Sequence, residues 1–182
     1  MKMKSNLPAP KSSKKKIQMW INDLGSTNDK ERVKARSLLI NEGVNAAPSL
    51  IQALSNSNQD VRRETAHILA KTKNITAASA LVNALEDEDH DVRWAAMEAL
   101  IALDRAGLEP LLQILMKDID SAWLLEGAHH ILHVLNDKGH LSTPMRKVFS
   151  ALEGTEAGYT VPWAAKTAWE SLFGSERSNG GE

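Results

Sequence analysis

The residues best suited by type and spacing to do chemistry are Glu126, His129, His130 and His133. Their offsets place all four on one side of a helix, and imidazoles with a carboxylate suit Zn or non-haem Fe. One helix, however, directs at most two or three ligands at a single ion, so a closed shell needs donors from elsewhere in the chain. His67 and Glu98 are the donors at equivalent positions of other segments, and together with His130 they form a ladder across three helices. Helix axes ~8–10 Å apart let such neighbours hydrogen-bond without sharing a metal. The pattern therefore favours a solvated polar face, and no metal or cofactor is assigned. A metal-dependent enzyme built on this His/Glu stripe stays as the alternative. The sequence shows no Gly-rich phosphate loop, nucleophile elbow or HExxH motif. The absence of cysteine removes disulfides, thiolate metal sites and cysteine nucleophiles from consideration.

The elements that would carry these residues show themselves as an internal repeat. Segments beginning at Glu31, Val61 and Val92 each place a small residue four positions on (Ala35, Thr65, Ala96) and Leu eight positions on (Leu39, Leu69, Leu100). Leu124 opens a fourth segment with Ala128 and Leu132, and Val161 a fifth with Ala165 and Trp169. Apolar positions at this spacing fall on one helical stripe, and a period near 30 residues is that of a helical array. We term these the B helices. Shorter apolar-periodic stretches at 46–54, 76–85, 108–116 and 144–152 are A helices, with Thr143 before Pro144 reading as an N-cap. Residues 15–24 form a further helix closing the N-terminal end. Short polar links imply antiparallel pairs, and 153–160 reads as a longer loop.

Composition supports one helical unit. With 42% hydrophobic and 25% charged residues, rich in Ala and Leu, 182 residues suffice for one substantial core. Residues 17–174 are assigned to the array, 1–16 to a basic disordered tail and 175–182 to a second disordered tail. Six of the 22 Lys and Arg lie in 1–16, so against 23 Asp and Glu the remainder carries about −7. An acidic body is a poor polyanion binder, which leaves the Lys-rich tail as the only part suited to nucleic acid. No apolar run approaches the ~20 residues of a membrane-spanning helix, and the N-terminus lacks the apolar region of a secretory signal. A cytoplasmic protein is expected.

The pattern L..L.D....VR..A..AL, clearest at 81–103, resembles HEAT-like repeats of the short kind found in phycobilin lyases. The resemblance spans about 29–172 and implies an all-α, right-handed α-solenoid of about five helical hairpins, with B helices lining the concave surface. It says little about activity. Deoxyhypusine hydroxylase, a HEAT-like di-iron enzyme, carries His-Glu pairs early in its helices, where this chain has Arg63-Glu64, Trp94-Ala95 and Glu126-Gly127. HEAT-like DNA glycosylases need a basic groove, and this one is acidic. A bilin-lyase-like activity needs a chromophore pocket that no residue pattern marks; it stands with the metal-dependent enzyme as the alternative.

The residues facing away from the core stripe of the B helices are the candidate contacts with another protein. They comprise Arg63 and His67 in the second repeat; Trp94, Met97, Glu98 and Ile101 in the third; Glu126, His130 and His133 in the fourth; and Trp163 in the fifth. Trp and Met ringed by charge are typical of an interface centre, with Trp94 as anchor. The alternative is that Trp94, Met97 and Ile101 fill gaps between neighbouring helices. The expected function is a non-catalytic interaction module, a scaffold or adaptor.

Overall fold

The structure, a computed structural model, describes residues 13–117 and 120–177. These form ten α-helices, with no strand among the described residues: α1 (Lys14–Asp23), α2 (Asp29–Glu42), α3 (Ala47–Ala53), α4 (Gln59–Thr72), α5 (Ala78–Asn83), α6 (His90–Leu103), α7 (Arg105–Leu115), α8 (Ala122–Asp137), α9 (Thr143–Leu152) and α10 (Ala157–Arg177). Helix thus includes residues 14–16 and 175–177, which composition assigns to the tails; the rest of those tails lies outside the described residues.

Local chemistry sets where the long helices begin. Asn28 accepts from Lys30 N at 3.0 Å, Asn58 from Asp60 N at 2.8 Å, Asp89 from Val92 N at 3.1 Å and Ser121 from Leu124 N at 3.2 Å. Each cap satisfies a backbone N–H that would otherwise lack a partner, typically worth about 1 kcal/mol. The expected cap at Thr143 moves one residue: Ser142 flanks α9, Thr143 is its first residue, and the Ser142 hydroxyl is buried without a partner. The expected loop 153–160 is shorter, because α10 already begins at Ala157.

A recurring arginine ties each of the first three hairpins together. Arg32 Nη1 donates to Ser26 O at 2.7 Å, Arg62 Nη1 to Asn56 O at 2.8 Å and Arg93 Nη1 to Asp87 O at 2.8 Å, all reaching six residues back. Each guanidinium caps a link carbonyl and fixes the angle at which the chain enters the next helix. Arg62 reaches further, to the Asp87 carboxylate of the following link, and this hydrogen bond holds its pKa above the ordinary arginine value.

The repeat positions form the core. Ala35, Thr65, Ala96, Ala128 and Ala165 are all buried, as are Leu39, Leu69, Leu100 and Leu132. Small residues at the fourth position let successive helices approach closely. α2, α4, α6 and α8 stack in sequence as one layer; α1, α3, α5 and α7 form the other. The last hairpin departs from the expected five stacked B helices. α9 packs on α8, whereas α10 packs on α7 and α9. The two helices of this hairpin have exchanged layers, and Trp163 goes with α10.

Candidate functional site

The two-layer stack leaves one aromatic patch on its B-helix face, between α6 and α8. Trp94 is 45% exposed and lies against His130, ring centroids 5.0 Å apart and tilted by 41°. Trp123, 46% exposed, receives the Arg93 guanidinium 4.3 Å from its ring centroid. Arg93 is itself anchored on the Asp87 carbonyl, so this cation–π contact is held in place from α6. Between the aromatic side chains is a hollow of about 100 Å³, which Leu85, Met97 and Gly127 also line. Gly127 lets α8 approach closely: a Cβ there would stand 3.3 Å from Leu85 Cδ2, which would have to give by a few tenths of an ångström.

The hollow is well below the ~300–1,000 Å³ of a small-molecule site. It can accept one inserted side chain, as interface centres do. Glu126 and His130 in its lining can set orientation. Arg63 is ion-paired with Asp60 at 2.8 Å, and His67, Glu98 and Glu126 are exposed.

Two expected members of the exposed patch are buried instead, and a third lies elsewhere. Met97 and Ile101 are each only 8% exposed and belong to the core. A B helix inside the stack has a B neighbour on each side as well as the opposite layer, so its buried arc is wider than one stripe. Trp163, 72% exposed on α10, lines a different groove with Tyr159. Trp123 is the member that the repeat frame passes over. It stands two turns before His130, on the same side of α8, but precedes the segment that opens at Leu124.

The histidine stripe also divides. His130 faces Trp94, whereas His129 and His133 lie against Phe149 of α9 at 5.4 and 6.0 Å between centroids. His133 Nδ1 is 3.4 Å from Asp137 Oδ2. No three His, Asp or Glu side chains converge as metal ligands among the described residues, and no hydrogen bond or ion pair among them joins His67, Glu98 and His130 into a ladder.

Residues 47–128 match the family model of HEAT repeats. This stretch is a HEAT-repeat array. It runs from α3 into α8, and it contains Trp94 and Trp123. The crystal structure of an engineered protein is similar at 19% identity over 84% of this chain and 80% of that one, with a TM-score of 0.40. No curated protein matches the chain. No helix among the described residues is long and apolar enough to cross a membrane.

Proposed function

We propose that this protein is a non-catalytic scaffold or adaptor that binds a protein partner on the α6–α8 face. The observation that carries the reading is the pair of half-exposed tryptophans, Trp94 and Trp123, flanking a hollow of side-chain size. HEAT repeats generally mediate protein–protein interaction, which supports the same class of function. Trp94 and Trp123 act as anchors, and Arg63, His67, Glu98, Glu126 and His130 form the polar rim; burying such a Trp supplies ~2 kcal/mol or more. The absence of cysteine suits a reducing compartment, and the cytoplasm is where we place it.

The test is photo-cross-linking from position 98, in wild type and in a Trp94→Ala/Trp123→Ala variant, with thermal melting as the control. A discrete cross-linked protein that disappears in the folded variant is the expected result. An unchanged cross-linking pattern would refute the assignment of this face.

A further inference from the structure

A second, wider opening lies away from the Trp94 patch, in the exchanged hairpin. A groove of about 990 Å³ runs between α9 and α10. Ala164 and Ala168 are buried at its floor, and Trp163 and Tyr159 stand over it at 72% and 87% exposure. Two cations, Arg146 and Lys147, are the only charged groups among its described lining, which holds no carboxylate. Arg146 is partly engaged, donating to Leu141 O at 2.8 Å, whereas Lys147 is exposed and has no ion-pair partner among the described residues.

We infer that this groove docks an acidic amphipathic helix of a partner protein, as a second binding surface separate from the α6–α8 face. Shape argues for a helix. The trough lies between two antiparallel helices and its α10 wall repeats at three- and four-residue spacing, the geometry into which a third helix packs ridge into groove. Charge decides which helix. A stripe of apolar residues would cover Trp163 and the alanine floor, while carboxylates beside that stripe would meet Lys147 and Arg146.

A second copy of this chain fits poorly. Two such grooves facing each other would oppose like charges, and α1, at the other end of the stack, presents exposed Lys14, Lys15 and Lys16. An anionic bilayer fits poorly too, because the cations are only two and sit beside a concave trough, on a chain of net charge −1.

The probes are two fluorescein-labelled synthetic helical peptides of about 16 residues, long enough for four turns. Both carry the same Leu/Phe stripe, with Glu on the polar face of one and Lys on that of the other. Fluorescence anisotropy should show binding of the acidic peptide alone, weakened at least about tenfold by Trp163→Ala and by Lys147→Glu, and unchanged by Trp94→Ala. Because Trp163 and Lys147 are exposed, both variants should melt like wild type; Lys147→Gln serves as a second charge variant should either fail to fold. Equal binding of both peptides, or binding unaffected by Trp163→Ala, would overturn the proposal. So would sedimentation of the chain alone as a dimer that Trp163→Ala dissociates, or co-sedimentation with anionic phosphatidylserine vesicles through the same residues. Loss of acidic-peptide binding in Trp94→Ala alone would place the site on α6–α8 and sink this second surface.

Discussion

Arg62 holds Asp87 through two nitrogens, Nε to Oδ2 at 2.7 Å and Nη2 to Oδ1 at 2.8 Å, with both side chains at least nine-tenths buried. The pair joins α4 to the link that leads into α6, and so couples two repeats through one bidentate contact. Removing the carboxylate leaves a buried guanidinium without its principal partner. Asp87→Ala should cost about 3 kcal/mol of folding stability, measured by urea denaturation. The raised pKa of Arg62 means that its contribution is complete below the unfolded value and is lost only as pH rises through the still higher folded value. Between pH 6 and 9 this contribution should therefore not vary, and a Tm falling steeply over that range would implicate other groups.

Trp94 separates a binding role from a packing role. Trp94→Ala should lower the affinity for a partner by ~2 kcal/mol, about thirtyfold, while changing folding stability by no more than about 1 kcal/mol. Glu126→Ala, at the rim, should alter the salt dependence of binding more than its strength. Titration calorimetry at two ionic strengths, alongside melting curves, distinguishes the two. A large fall in Tm for Trp94→Ala would make it a core residue.

Ala96 lies fully buried in α6, where the helix meets both its neighbours. Enlarging it to Leu should destabilise the fold by ~1–3 kcal/mol, because added methylenes have nowhere to go without displacing a helix. Wild-type melting of Ala96→Leu would mean that the stack is looser at this point than the burial of Ala96 implies.

Lys73 ends α4 in the left-handed region, at φ 48° and ψ 46°, where a side chain carries a steric penalty that glycine avoids. Part of that gain is offset by the greater freedom of glycine in the unfolded chain. The net expectation for Lys73→Gly is a gain of ~0.5–1 kcal/mol, seen as a Tm higher by a few degrees.

Most of the helical framework was legible because each B helix repeats the same demand. Ala35, Ala96 and Ala128, with Leu39, Leu100 and Leu132, mark a face that must be buried, and burial in the structure follows them. Periodicity identifies that face without identifying what covers it. Met97 and Ile101 lie beyond the stripe and are covered by adjacent B helices, a consequence of stacking rather than of their own helix. The layer exchange of α9 and α10 was illegible for the same reason, since each helix keeps its own apolar stripe whichever layer it joins. Periodicity accordingly groups Trp163 with Trp94, although they line different openings. Trp123 could have been found, because seven residues before His130 is two turns along the same side of α8.

The first turn of α9 carries a cation at Arg146, and Lys147 follows it, whereas helix N-termini bear roughly half a positive charge from their aligned peptide dipoles. Arg146 thus stands at the electrostatically disfavoured end of its own helix, whereas Lys147, the fifth residue of α9, lies beyond the first turn where that field is felt. Arg146 offsets its position by donating to Leu141 O, whereas Lys147 is exposed and has no ion-pair partner among the described residues, so the fold draws no benefit from its charge. Lys147→Glu should then separate the two roles: a protein of unchanged stability, and a groove that repels the carboxylates it is proposed to receive. Selection for stability alone would leave this position free to vary, and selection for the groove would keep its positive charge.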